Sequence, residues 1–161
     1  MKVAVLCNGS SRSLFTSPTG YNYLIGCNIP WRQVDATVIL DVNVLDKWNE
    51  PCPFYSSVSA WRELHKRERF EQHFLGFVDT FAEYDSSGHA ATRKVIELGY
   101  KEIDIYGCDS WFTNNTESYT HQWVDGRAID MNKQISVWRA RWYELMAKHP
   151  DVKINFIGEP K

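Results

Sequence analysis

Apolar residues in this chain gather in short unbroken runs rather than in alternation. Val3-Ala-Val-Leu-Cys7 comes first and is closed by Asn8-Gly9-Ser10-Ser11. Tyr23-Leu-Ile-Gly-Cys27 stops at Asn28 and Pro30, and Thr37-Val-Ile-Leu40 gives way to Asp41-Val42-Asn43. Ile103-Asp-Ile-Tyr106 meets Gly107-Cys108-Asp109, and the run 152–157 meets Gly158 and Pro160. Short runs bounded by turn formers predict strands. Their continuity predicts a parallel sheet buried on both faces.

The intervening stretches read as helices. Residues 61–78 are charged and aromatic, with Leu64, Phe70, Phe74 and Phe77 among the apolar positions and Gly76 weakening the last turn. Residues 89–98 follow Ser86-Ser87-Gly88 and close at Gly99, a residue that tolerates the left-handed end of a helix. Residues 134–148 carry Val137, Trp138, Ala140, Trp142, Leu145 and Met146 and stop before Pro150. Strands alternating with helices define an α/β fold, a mostly parallel sheet between helical layers. No linker or repeat interrupts it, so residues 1–161 are expected to form a single Rossmann-like domain. The aromatic group Trp61, Phe70, Phe74 and Phe77 is read as core, with a homo-oligomer surface as the alternative.

A chain of 161 residues fits one domain of roughly 100–200 residues. With 43 % hydrophobic and 24 % charged residues it is neither disordered nor fibrous. Eighteen Lys and Arg against twenty Asp and Glu leave a net charge of −2, which argues against generic nucleic-acid binding. No apolar run approaches the roughly 20 residues of a membrane span, and the opening run is too short for a signal peptide. Cys7, Cys27, Cys52 and Cys108 lack any CxxC or zinc-type spacing. Three of them sit at the ends of apolar runs, where a thiol behaves as a small buried hydrophobe. A reduced, cytoplasmic protein is expected, in which Asn8-Gly9-Ser10 and Asn114-Asn115-Thr116 are not glycosylated.

Ligands of parallel α/β sheets bind outside the carboxyl ends of the strands. Here those ends supply Asn8-Gly9-Ser10-Ser11, Cys27-Asn28, Asp41-Val42-Asn43 and Asp109-Ser110-Trp111, while Ser86-Ser87-Gly88 precedes a helix. Amides and hydroxyls both donate and accept, as recognition of a polar, sugar-like or nucleotide-like ligand requires. Each group also has a plain structural reading: Asn-Gly-Ser as a turn, Ser87 as a helix cap. As a ligand site, Ser86-Ser87-Gly88 would hold an anion at the positive helix end. The phosphate loop of common ATPases, the GxGxxG dinucleotide turn and the GxSxG hydrolase elbow are all absent. Asp41-Val42-Asn43 lacks the second carboxylate with which metal-dependent glycosyltransferases hold a cation, so no metal is expected. Among the histidines, His65 and His73 read as surface or partner residues and His149 as a helix-end residue. His89 stands where it could face a bound anion. His121, in the polar aromatic loop Tyr119-Thr-His121-Gln-Trp123, is the best acid/base candidate.

These segments, in this order, resemble the bacterial sialyltransferases of glycosyltransferase family 42. The resemblance rests on Val3-Ala-Val-Leu-Cys-Asn-Gly-Ser-Ser11, Ile25-Gly-Cys-Asn28 and Ser86-Ser87-Gly88. Its most specific part is Val95-Ile-Glu-Leu-Gly-Tyr-Lys-Glu-Ile-Asp-Ile-Tyr-Gly-Cys-Asp109. It spans positions 3–28 and 86–112. It implies a Rossmann-like domain that binds cytidine-monophosphate sialic acid as substrate, without metal or other cofactor. By position it puts Asn8, Asn28, Ser87 and Gly88 around the donor, and Gly9, Ser10, Ser86, Asp109 and Trp111 beside them are the further substrate-binding candidates. Trp111 stands where the family has a tyrosine that helps the leaving phosphate, and Tyr119 is the candidate to replace it. The family's histidine base comes from a lid. Little chain remains for a lid here, and His121 is the histidine in that stretch. The reading that follows is a sialyltransferase-like protein in which His121 removes the proton of an acceptor hydroxyl. The rivals are a non-catalytic protein that captures a nucleotide or nucleotide-derived signal and, less favoured, a nucleotide-dependent pyrophosphokinase.

Overall fold

The structure is a computed structural model that describes residues 1–42, 48, 51–79, 86–114 and 132–158. Five of its strands are the expected runs: β1 (Lys2–Leu6), β2 (Tyr23–Cys27), β3 (Ala36–Ile39), β6 (Glu102–Tyr106) and β7 (Lys153–Ile157). Two more, β4 (Phe54–Ser56) and β5 (Phe74–Phe77), complete a seven-stranded sheet in the order β5-β4-β3-β2-β1-β6-β7. Every pairing is parallel. The fold is therefore an α/β, Rossmann-like single sheet, as the unbroken apolar runs require.

The expected helix over residues 61–78 is corrected by the structure. It divides into α1 (Val58–Leu64), α2 (Glu68–Glu71) and strand β5. Ser57 starts α1 by accepting the N–H of Ala60 at 3.1 Å. At the far end, Phe74 stacks on Trp61 with ring centroids 3.9 Å apart, and β5 pairs with β4 across a register shift. Gly76, at φ 152°, adopts a backbone that a helix forbids, so the residue read as a weak last turn marks a strand. Phe70 is fully buried and Phe77 is half exposed, which places the aromatic group only partly in the core.

Helix α3 (Ser87–Glu97) connects β5 to β6, and α4 (Asn132–Lys148) connects β6 to β7. Both pack on one sheet face, where Ala90, Ala91, Val95, Trp142 and Leu145 meet Val3, Val5, Ile25, Val38, Ile103 and Ile105. Alternation along each strand sends the neighbouring residues to the other face. There α1 and α2 cover Ile39 and Phe54 through Leu64 and Phe70. Around β1 and β2 the cover is not helical: Phe15 and Tyr21 from the β1–β2 connection and Trp31 from the β2–β3 connection close over Ala4, Leu6 and Leu24. The expected second helical layer is thus aromatic loop over that half.

Under this loop the carboxylate of Asp104, 5 % exposed, sits in mid-strand. It accepts the Tyr21 hydroxyl at 2.7 Å and the Asn155 amide at 2.9 Å, and it pairs with Lys2 Nζ at 3.0 Å. Because the Tyr21 hydrogen goes to Asp104, the Tyr106 hydroxyl 2.6 Å away donates to Tyr21. Burial works to raise the Asp104 pKa, but its three partners outweigh burial and hold it below the usual carboxylate value.

Candidate functional site

The chain steps from β1 through β5 in one direction and then returns to place β6 on the other side of β1. Such a reversal leaves a crevice outside the carboxyl ends of the two strands. Here two glycine turns meet in it. Gly9 N–H donates to Gly107 O at 2.8 Å, and a Cβ on Gly9 would lie 2.4 Å from that same oxygen. Gly107 has φ 74°, and a Cβ there would lie 2.3 Å from the Cys7 carbonyl. Only glycines allow the turns to touch.

Their contact brings Asp109 under the 3₁₀ turn Ser10–Leu14. The carboxylate accepts the Ser10 N–H and Oγ–H, each at 2.7 Å, the Ser11 N–H at 3.1 Å, and the Ser11 hydroxyl at short range. Burial raises the Asp109 pKa, but the hydrogen bonds from Ser11 and Ser10 outweigh it and keep the group anionic below the ordinary range. Arg12 folds back over the turn and donates from Nη1 to Gly9 O at 3.2 Å.

On the β2 side, Asn8 donates from Nδ2 to Cys27 O at 2.9 Å, tying the ends of β1 and β2. Asn28 lies in the left-handed region at φ 52°. Its Oδ1 accepts the N–H groups of Leu40 and Asp41 at 3.1 and 3.2 Å, which fastens β2 to the end of β3. With its oxygen so engaged, the Asn28 amide nitrogen keeps hydrogens for an acceptor on a ligand. Trp31 adds its indole N–H to Cys7 O at 3.1 Å.

The start of α3 closes the rim. Ser86 is the N-cap: its Oγ accepts the N–H of His89 at 3.3 Å, and its carbonyl accepts the N–H of Ala90 at 3.1 Å. No described residue accepts from Ser87 or Gly88 N–H, so these are the groups an anion would meet at the helix end. Gly88 presses on β1, for a Cβ there would fall 2.9 Å from Cys7 Sγ. Cys7 Sγ lies 3.9 Å from Cys27 Sγ, and Cys7, Cys27 and Cys108 are all buried and free. For Cys7, the Cys108 thiol works to lower the pKa. The Cys27 contact and burial outweigh it, so the thiol stays protonated and unreactive.

Not every candidate reaches the rim. His89 is 1 % exposed: Nδ1 meets Ser86 Oγ at 2.5 Å, Nε2 donates to Trp138 O at 3.0 Å, and the ring stacks on Trp142. It joins α3 to α4 and does not face an anion. The Trp111 ring lies parallel to Phe156 at 4.1 Å and against Tyr143 at 5.2 Å, packed toward β7 and α4. Asn43, Tyr119 and His121 lie outside the described residues. Sequence reasoning did not single out Arg12, Trp31 or Phe112. Only proximity to the Gly9 turn marks Arg12, and nothing local marks the other two.

Neither protein-family models nor curated proteins match this chain. A solved structure does, that of the sialyltransferase CST-II in complex with a trisaccharide acceptor and CMP. Its TM-score is 0.50 at 12 % identity, with 97 % of this chain and 80 % of that chain covered. The chain thus shares its fold with that enzyme, and at that identity the likeness is one of architecture alone. No helix among the described residues is long and apolar enough to cross a membrane.

Proposed function

We propose that the chain binds a nucleotide sugar of the CMP-sialic-acid type in this crevice and passes the sugar to an acceptor hydroxyl without a metal. One observation carries the reading. At the strand-order reversal, Asn8, Asn28 and the N-terminus of α3 are fastened to the same group of strand ends, although they are far apart in the chain. Amide hydrogens of Asn28 and the Ser87 and Gly88 N–H groups would meet the donor's negative charge in place of a cation. His121 would take the acceptor proton and Tyr119 would steady the departing phosphate. A solved sialyltransferase of similar fold holds CMP, which supports the choice of nucleotide.

Because Asn28 holds β2 to β3, its replacement would unfold the rim, and Ser87 is the better probe. Glutamate at Ser87 suits the first turn of a helix, where an acid adds about 0.3–1 kcal/mol. It also repels a ligand anion. CMP at a hundred times its dissociation constant is expected to stabilise the wild-type protein by about 2.7 kcal/mol, or roughly 5–10 °C in melting temperature. Ser87→Glu should weaken CMP at least about tenfold, which halves that shift at the same concentration. No response of the wild-type protein to CMP would end the nucleotide reading, and an undiminished response of Ser87→Glu would remove α3 from it.

Capture without chemistry is the second reading, favoured by Trp111, whose ring is stacked on Phe156 where the resembling family has a phosphate-steadying tyrosine. Turnover separates the two. CMP released in many-fold excess over protein means transfer; intact donor recovered in stoichiometric amount means capture.

A further inference from the structure

A cavity of about 220 Å³ opens against the β1 turn, lined by Ser10, Ser11, Ser13, Leu14, Asp109, Phe112 and Thr113 and by no residue of α3. It is smaller than the roughly 300–1,000 Å³ that drug-sized ligands occupy, so it has room for a single ring rather than a whole nucleotide sugar. Its polarity follows from where the hydroxyl hydrogens go. An ionised carboxylate only accepts, so both contacts from Ser10 Oγ and Ser11 Oγ to Asp109 place the hydrogen toward Asp109. Ser13 Oγ likewise donates away from the cavity, to Ser10 O at 3.4 Å. Each of these oxygens therefore turns lone pairs, not hydrogens, toward the opening. The Ser10 and Ser11 N–H groups, which could have held a phosphate, are already occupied by Asp109. Behind the acceptor wall stands a buried negative charge.

We propose that this cavity seats an uncharged, hydroxyl-rich ring that donates hydrogen bonds to the serine oxygens, and that it turns phosphate away. Leu14, 42 % exposed, and Phe112 supply the apolar side against which the C–H face of such a ring packs. The two sides of the β1 turn are then opposite in character: N–H groups toward α3 for the anion, and acceptor oxygens here for the hydroxyls. If the preceding reading holds, the ring is the acceptor sugar. This also reassigns Ser10 and Asp109, expected around the donor, to the other substrate.

The test is amide NMR of the intact chain with lactose, inorganic phosphate and CMP added separately. Lactose is expected to move the Ser11, Ser13 and Thr113 signals, while phosphate at equal concentration leaves them in place. Ser10→Ala, which keeps three of the four contacts to Asp109, should cut the lactose response several-fold in a protein that stays folded but melts lower. Ser13→Ala, whose exposed contact does not involve Asp109, repeats the test at an unchanged melting temperature. Lactose without effect on these signals, or phosphate moving them, overturns the proposal, as does a full response in both variants. CMP reports separately through Asn28 and Gly88. Silence there with an active lactose response ends the nucleotide reading and leaves the cavity's role intact; the reverse pattern ends the cavity's role alone.

Discussion

Gly107→Ala is expected to lower stability by about 4 kcal/mol and to dismantle the crevice. Two effects add. The residue sits at φ 74°, where an L side chain costs roughly 1–2 kcal/mol. The new Cβ would also lie 2.3 Å from the Cys7 carbonyl and 3.3 Å from the Gly9 nitrogen. Those neighbours are backbone and cannot swing aside, so overpacking adds roughly 1–3 kcal/mol. In a domain of this size the melting temperature should fall by roughly 8–16 °C. Gly99→Ala is the control, since Gly99 shares a positive φ of 101° with no atom near its Cβ. It should lose only the conformational part. Equal, small losses in the two variants would mean that the contact between the β1 and β6 turns is loose.

Asp104→Ala is expected to cost about 3 kcal/mol, the low end for breaking a buried charge pair, because it leaves the Tyr21 hydroxyl and the Asn155 amide without their acceptor. The deficit depends on pH. The native Asp104 pKa lies below its ordinary value, so the carboxylate's contribution is complete above about pH 4 and fades as pH falls through the native value. The native Lys2 pKa is raised, mainly by its hydrogen bond to Asp104, so that contribution is complete below about pH 10.5 and fades above it. Thermal melts of both proteins from pH 2 to 11 should show a constant gap in the middle that narrows at each end. A gap that stays flat below pH 3, or is absent at pH 7, would contradict the network.

The rim was legible in part. Asn8, Asn28 and Gly88 were singled out because small amides, hydroxyls and glycines recur at the carboxyl ends of strands, where ligands of such sheets bind, and the structure fastens them to adjoining strand ends. What each amide does was not legible. Asn28 reads as a ligand contact in one dimension, yet its oxygen is occupied by backbone twelve and thirteen positions away. His89 misled for the same reason: its place after Ser-Ser-Gly says nothing of Trp138, 49 positions on. Residues 74–77 were read as helix although Phe74-Leu-Gly-Phe77 is as unbroken an apolar run as Tyr23–Cys27, because no turn former separates it from the charged stretch before it. As an edge strand its burial alternates between half-buried and exposed.

Sequence alone determined the parallel sheet and five of its strands, since burial on both faces forces a continuous apolar run that no other element of that length needs. It also determined where along each strand a ligand could approach. Tertiary structure alone decided which side of the β1 turn donates and which accepts. That polarity depends on Asp109 meeting Ser10 and Ser11 from 99 and 98 positions away. The direction of a hydroxyl hydrogen is set by the partner it finds in space, and chain order carries no record of it.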